Sequence, residues 1–199
     1  MKKIGISILK SIVFVVFSVA FRVKIEGREN IPKTGAAVLC ANHNSELGMF
    51  FIGYRIKRLV RWMAKEELFK NPIFAAFIKS LGAFPIKRGK SDIDAMKALF
   101  KLLDEGHIIG MFPEGTRVKD RTKKDVKAKP GAAMIAVKKG VPIIPVGVEG
   151  GNKVFRRVRI VFGEPFHIKT EPGKKYTTVE YTDMSNEIME KVYGLLGDK

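Results

Sequence analysis

Short, continuous apolar runs that alternate with helical patterns constrain the fold of this chain more than any other feature. Residues 36–41, 108–112 and 143–148 form such runs, which are typical of strands buried on both faces of a sheet. Helical spacing of apolar residues lies between these runs, at residues 93–103 and 131–139. The alternation predicts a single α/β domain with a mixed, largely parallel sheet flanked by helices. A chain of 199 residues is long enough for one such core and too short for two ordinary domains.

The N-terminal segment differs from the rest in its apolar character. Residues 11–21 carry no charge, are rich in Val, Phe and Ile, and are flanked by basic residues. This run is shorter than the roughly 20 residues that a helix needs to cross a bilayer. Three interpretations fit: a membrane-embedded or interfacial anchor helix, a buried core helix, or a signal peptide cleaved after Ser18-Val19-Ala20. We expect the anchor, with a segment at residues 1–24 and a folded domain at residues 25–199.

The charge of the chain restricts its partners. Lys and Arg number 37 against 20 Asp and Glu, for a formal charge of +17, which implies a polyanionic partner. No aromatic-interleaved basic motif is present, so we predict an anionic membrane surface and no nucleic acid. Two basic clusters support this prediction. One surrounds Trp62 and contains Arg55, Lys57, Arg58 and Arg61, and the other spans residues 119–129.

The single cysteine and the scattered histidines exclude other chemistry. Cys40 cannot form an intramolecular disulfide, fits a reducing compartment, and lies in the apolar run 36–41. We therefore predict a buried core thiol and no nucleophile. His107 and His167 have no Cys or His at ligand spacing, so no metal site is predicted.

His43 is the first candidate for chemistry. It follows the apolar run 36–41 directly, which delivers it to the carboxyl edge of the predicted sheet, where α/β folds bind their ligands. Asn42, Asn44 and Ser45 surround it with small hydrogen-bonding groups. An imidazole with a pKa near 6.5 can accept a proton at neutral pH. The alternative is a surface or helix-capping histidine.

The second candidate is the turn Phe112-Pro113-Glu114-Gly115-Thr116-Arg117. Pro and Gly favour a tight reversal in which backbone amides and the hydroxyl of Thr116 converge, and the guanidinium of Arg117 suits a phosphate. Glu114 is expected to orient an arginine or to accept a hydrogen bond from a substrate hydroxyl. Arg88 and Lys65, each at the end of a predicted strand, are further basic candidates. The alternative is an ordinary turn with a solvated arginine.

These residues resemble the glycerolphosphate acyltransferase superfamily, and most of all the bacterial 1-acyl-glycerol-3-phosphate acyltransferases. The resemblance spans about Ile31 to Pro165, and its specificity lies in the order and spacing of four blocks. The blocks are Asn42 to Gly48, Lys65 to Arg88, Phe112 to Arg117, and Val141 to Val146.

The resemblance implies direct acyl transfer at the cytoplasmic face of the cell membrane. His43 would act as general base on the free hydroxyl of lysophosphatidic acid, which then attacks the thioester of an acyl carrier protein or coenzyme A. The product is phosphatidic acid, and no cofactor is needed beyond the acyl thioester as co-substrate. Arg88, Glu114, Gly115 and Arg117 would match the family's glycerol-phosphate site, so residues 25–199 would form the acyltransferase domain.

One position departs from the family pattern. Five residues after its histidine the family has an aspartate that holds the imidazole, and this chain has Gly48. We expect Glu46, three residues after His43, to substitute as a catalytic carboxylate, because positions three apart share a helix face. The alternatives are a weakened enzyme, an altered sequence, or a carboxylate from elsewhere. Two other functions stay open: transfer to another lysophospholipid or an aminolipid, and a weakened homologue that binds lipid phosphate.

Overall fold

A computed structural model of the protein describes residues 2–45, 47–53, 56–86, 92–118, 128–150 and 153–197. Glu46, Arg55, Arg88 and residues 119–127 of our predictions lie outside these ranges. The helices are α1 (Lys2–Ala20), α2 (Gly48–Gly53), α3 (Pro72–Ser80), α4 (Asp92–Asp104), α5 (Gly131–Lys139) and α6 (Thr178–Gly194). The strands are β1 (Arg22–Glu26), β2 (Ala37–Ala41), β3 (Val60–Lys65), β4 (Ala83–Ile86), β5 (Ile108–Met111), β6 (Ile143–Gly150) and β7 (Arg157–Phe162).

The strands form one sheet in the order β1-β7-β6-β2-β5-β3-β4. Within the described strands β6 pairs with β7 in antiparallel fashion, and every other neighbouring pair is parallel. The predicted single α/β domain with a mixed, mostly parallel sheet is therefore confirmed. The central strand β2 is wholly buried because both of its faces are covered.

Helices cover both faces of the sheet because the side chains of each strand alternate in direction. From β2, Leu39 enters a core cluster with the aromatic residues of α1 and α2, whereas Val38 and Cys40 enter a second cluster with α4, α5 and α6. The predicted buried thiol is confirmed, because Cys40 has no exposed surface and its burial raises the pKa of the thiol well above the ordinary range.

Among the described side chains of the N-terminal helix α1, some pack against the domain and others are exposed. Its Phe17 contacts the rings of Phe21 and Phe51, whereas Val16 and Val19 are exposed. Among the described residues, no helix has the length and apolar character that crossing a membrane requires. The helix ends at Ala20, and the sheet begins at Arg22, inside the segment that we expected to extend to residue 24.

Trp62, which we placed in a lipid-facing basic cluster, is a core residue, and the membrane role of the cluster stays a prediction. Trp62 is buried because β3 lies between β4 and β5, and its indole packs over Gly110, where no side chain intervenes. The guanidinium of Arg58 donates to the carbonyls of Pro32, Gly35 and Gly106 at 2.7–2.8 Å. Arg58 therefore ties together three loops at the amino edge of the parallel strands, the edge opposite His43.

Candidate active site

Two asparagines fix the loop that leaves β2. The side chain of Asn42 donates to the carbonyl of Val148 at 2.8 Å and accepts from the same residue's N–H at 2.7 Å. The amide of Asn44 donates to the carbonyls of Val148 and Gly150, at 3.0 and 3.1 Å. Both side chains thus bind the loop to β6, the neighbouring strand, and hold His43 between them.

The imidazole of His43 lies on a stack of aromatic rings. Its centroid is 4.3 Å from that of Phe112 with the planes 18° apart, and Phe112 in turn stacks on Trp62 at 5.1 Å. The Nδ1 atom of His43 is buried and has no hydrogen-bond partner among the described residues. The chain has Gly48 in place of the aspartate that the family resemblance implied would hold this ring.

The surroundings of His43 favour the neutral imidazole. Burial lowers the pKa of His43 because it disfavours the charged ring, the positive charge of Arg117 lowers it further, and a hydrogen bond with the backbone of Thr116 opposes both effects. These surroundings favour the neutral ring, which is the form that a general base requires, and the catalytic role of His43 stays a prediction.

Removing the charge of Arg117 should raise the pKa of His43. In Arg117→Gln we expect the ring to titrate at higher pH than in the parent protein, because the repulsion of the imidazolium is gone while the burial remains. An NMR titration of the histidine rings measures this shift, with His107 and His167 as internal references. Lys138→Gln is the control, because it also removes one positive charge, but from the last turn of α5. An unchanged titration of His43 in Arg117→Gln would contradict the prediction.

The turn of residues 112–117 lies directly beside His43, so the structure brings the two predicted motifs together. The N–H of Gly115 donates to the carbonyl of Phe112 at 3.0 Å, and the N–H of Val118 donates to the carbonyl of His43 at 2.8 Å. Gly115 has a φ of +67°, and a Cβ at this position would meet the side chain of Lys129 at 2.5 Å. Thr116 and Arg117 are exposed next to the imidazole, where a ligand can reach them.

Glu114 connects the turn to the histidine loop and to the last helix. Its side chain is buried, one oxygen accepts the backbone N–H of His43 at 2.6 Å, and the other accepts the hydroxyl of Tyr193. Burial raises the pKa of Glu114, and these two hydrogen bonds oppose the rise. We expected an arginine or a substrate hydroxyl as its partner. The described partners are instead protein groups that hold His43 in place, and a contact with substrate stays a prediction.

Loss of the Tyr193 hydroxyl should destabilise the protein measurably. Tyr193→Phe leaves one oxygen of a buried carboxyl group without this donor, so we expect the free energy of unfolding to fall by about 1.5–3 kcal/mol. The matched control is Tyr176→Phe, whose hydroxyl accepts an exposed backbone N–H from Glu171, and here we expect about 0.5–1 kcal/mol. Urea unfolding measures both changes. Equal decreases in the free energy of unfolding in the two variants would show that the Tyr193–Glu114 hydrogen bond contributes no more than an exposed one.

Gly48, the departure from the family pattern, is the first residue of α2. A Cβ at this position would lie 3.5 Å from Cζ and 3.6 Å from Cε1 of Phe112, which is ordinary contact with the ring that supports His43. The position therefore accepts a Cβ in ordinary contact with Phe112, the ring on which the imidazole stacks. Glu46 lies outside the described residues, so its role as the carboxylate that holds His43 stays a prediction.

Of the other predicted site residues, Lys65 is the last residue of β3, whose carboxyl end lies at the same edge of the sheet as that of β2, with β5 between the two strands. Arg88 lies outside the described residues. Within the described part of the chain, no group of three or more His, Cys, Asp or Glu side chains is placed to hold a metal ion.

An apolar groove runs from the aromatic stack along α1. It has a volume of about 550 Å³, a size common for ligand sites. Trp62 forms part of its wall and so connects it to Phe112 and His43. The remaining apolar wall comes from α1, α2 and the start of β3, through Phe14, Phe17, Met49, Phe50 and Leu59. No local pattern in the sequence indicated this groove, because its walls come from separate elements.

The fold and the site now define the class of protein. Residues 22–149 match the model of the Acyltransferase family, which is more than half of the chain, so the chain belongs to that family and is an acyltransferase. Within the family it resembles enzymes named 1-acyl-sn-glycerol-3-phosphate acyltransferase. The one from Bacillus subtilis is 34% identical over 159 residues, which cover 77% of this chain and 78% of that protein.

Two further comparisons also find similarity to acyltransferases of this kind. The chloroplast 1-acyl-sn-glycerol-3-phosphate acyltransferase LPAT1 of Arabidopsis thaliana is 30% identical over 160 residues, covering 74% of this chain and 44% of that longer protein. The crystal structure of the 1-acyl-sn-glycerophosphate (LPA) acyltransferase PlsC of Thermotoga maritima superposes with a TM-score of 0.70 at 27% identity. The match covers 98% of this chain and 80% of that one. The predicted family resemblance and enzyme class are therefore confirmed.

Proposed function

We propose that this protein transfers an acyl chain from an acyl thioester to the free hydroxyl of 1-acyl-glycerol-3-phosphate, giving phosphatidic acid. One observation carries the proposal: the imidazole of His43 stacks on aromatic rings that border an apolar groove, and the charge of Arg117 acts on the same imidazole. This arrangement suits a substrate with an anionic head and a long apolar chain. We take 1-acyl-glycerol-3-phosphate as the acceptor because the similar enzymes are named for it.

His43 would serve as the general base. The hydroxyl oxygen of the acceptor attacks the carbonyl carbon of the thioester while its proton passes to the imidazole. The carbon–sulfur bond then breaks, an ester forms, and the departing thiolate takes the proton from His43. The carrier, acyl carrier protein or coenzyme A, leaves as a free thiol, and the histidine returns to its neutral form without a covalent acyl-enzyme.

The phosphate of the acceptor would bind at the turn of residues 112–117. The guanidinium of Arg117 and the hydroxyl of Thr116 are exposed beside His43, and Arg88 is the proposed second guanidinium. Glu114 would contribute by holding the loop of His43. The groove beside Trp62 offers an apolar site for an acyl chain.

We further propose that the protein works on the cytoplasmic face of the cell membrane. The exposed valines and isoleucines of α1 suit a helix that lies in the interface, and the formal charge of +17 suits an anionic lipid surface. The single reduced cysteine fits the cytoplasmic side.

An assay of acceptor discrimination tests the proposal. Purified protein in mixed micelles receives acyl carrier protein or coenzyme A thioesters and either 1-acyl-glycerol-3-phosphate or 1-monoacylglycerol. We expect transfer to the phosphorylated acceptor to be faster by at least on the order of 10²-fold, because the second acceptor lacks the phosphate that the proposed cationic site binds. Equal rates would refute phosphate recognition. Absence of transfer with both thioesters would refute the proposed reaction.

A further inference from the structure

The turn between β6 and β7 exposes two large apolar side chains. Val154 is 56% exposed and Phe155 is 70% exposed. Phe155 has a φ of +62°, in the left-handed region that an aromatic residue rarely adopts. This backbone costs conformational free energy, and no burial of the ring within the protein offsets that cost. The ring is therefore held largely exposed to solvent.

Backbone hydrogen bonds join this turn to the end of α1. The N–H of Phe155 donates to the carbonyl of Ala20 at 2.7 Å, and Val19, next to Ala20, is itself 70% exposed. Val154, Phe155 and Val19, together with Val16 one turn earlier on α1, form a surface that we call the apolar rim. The rim lies at the same edge of the sheet as His43, because Asn44 binds the carbonyl of Gly150 where β6 ends.

Basic side chains accompany the rim. Exposed positive charges on the turn and on the first residues of β7 and β1 come from Lys153, Arg156, Arg157 and Arg22. The described residues 153–157 contain no carboxylate. An apolar, aromatic tip among cations complements the interface of an anionic bilayer, where aromatic rings lie at the depth of the head groups and cations contact the phosphates.

We propose that the β6–β7 turn is a second membrane contact, which inserts Phe155 into an anionic lipid interface beside α1 and turns the His43 edge towards the lipid. The inference rests on the proposed function, since it presumes a lipid substrate. An exposed aromatic ring can insert into a deformable bilayer. An acidic carrier protein would need a cavity of matching shape to accept the same ring.

A site-specific fluorescent label tests the contact directly. Phe155→Cys is labelled with an NBD group, and buried Cys40 stays unlabelled because its thiol is inaccessible and has a raised pKa. The control is Val179→Cys, which is 69% exposed and lies about 21 Å along α6 from Tyr193, at the opposite edge of the sheet. Both proteins are mixed with phosphatidylcholine vesicles that contain or lack phosphatidylglycerol, with doxyl-labelled lipid as quencher.

We expect the label at position 155 to shift to shorter wavelength and to be quenched on the anionic vesicles, and the label at position 179 to remain as in water. A water-like spectrum at position 155, with the protein bound to vesicles by sedimentation, would overturn the proposal. So would a shift caused by acyl carrier protein in place of vesicles, or a shift that depends on protein concentration alone.

A second variant separates membrane binding from folding. Phe155→Gly removes the ring and relieves the left-handed backbone, because glycine adopts this conformation freely. We expect the melting temperature to stay the same or rise while partition onto anionic vesicles falls about tenfold, with Val179→Gly leaving partition unchanged. Unchanged partition of Phe155→Gly would overturn the contact. Transfer to a soluble short-chain 1-acyl-glycerol-3-phosphate, measured in the same samples, shows separately whether the proposed reaction holds.

Discussion

Gly48→Asp is expected to raise acyl transfer by on the order of 10²-fold or more, because removal of the equivalent carboxylate from a serine protease triad costs about 10⁴. The buried Nδ1 of His43 has no partner among the described residues, and a side chain at position 48 would contact the ring on which the imidazole stacks. An aspartate there would hold the Nδ1–H, direct Nε2 to the acceptor hydroxyl, and stabilise the imidazolium. The measurement is turnover under saturating acceptor.

The same substitution should move the pH profile. A carboxylate beside the imidazole favours the charged ring, so it raises the pKa of His43, and the acidic limb of the profile shifts to higher pH. Thermal stability should not fall, because an aspartate in the first turn of α2 is favourable at a helix N-terminus and replaces a flexible glycine.

Two comparisons decide what the aspartate does. Gly48→Asn keeps the shape without the charge, so it should recover less of the gain than Gly48→Asp. Glu46→Gln is made in both backgrounds, because Glu46 is the residue that we predicted to substitute. If Glu46 already holds His43, the parent protein loses turnover in Glu46→Gln and gains little from Gly48→Asp. A Gly48→Asp variant within a few-fold of the parent, with no loss in Glu46→Gln, would contradict both ideas.

His43→Ala should lower turnover by on the order of 10³-fold or more, since the hydroxyl would lose its general base and its oriented attack. The acceptor should still bind, because the residues proposed to hold its phosphate are unchanged. Turnover and acceptor binding are measured side by side. His107→Ala is the matched control, because His107 contacts Glu105 at the amino edge of β5, far from the site.

Thermal unfolding must accompany this pair, because the alanine also removes the ring that stacks on Phe112. A folded His43→Ala protein with turnover within tenfold of the parent would show that another group takes the proton. Loss of turnover in both histidine variants would point to a general destabilisation and not to a catalytic role.

Several elements could be predicted because their signals are local. The spacing of apolar residues and the glycine after Lys139 predicted helix α5 at residues 131–139, and the structure has it there with Gly140 at its C-cap. Asn71 caps α3, with Pro72 in the first turn, which is also a local signal. The apolar run 36–41 predicted a buried strand, and the structure has β2 there, with His43 just beyond its carboxyl end. In each case the relevant residues lie within a few positions of one another.

Elements whose signals depend on distant partners were predicted less well. We predicted an N-terminal segment that includes residues 22–24, yet β1 begins at Arg22 because it pairs with β7, more than 130 residues later. We placed Trp62 in a lipid-facing basic cluster, yet Trp62 is buried because β3 is an inner strand. The residues around β1 do not indicate its pairing with β7, and those around β3 do not indicate that it lies between two other strands.

The sequence by itself therefore determined the class of fold, the two motifs and the order in which they occur, because strand and helix periods and turn chemistry are local properties. The tertiary structure decided how the motifs work together. Glu114 accepts the N–H of His43 across 71 residues and the hydroxyl of Tyr193 across 79. These bonds exist because the strand order places the end of β2 beside the turn after β5, and because α6 packs its last turn against both.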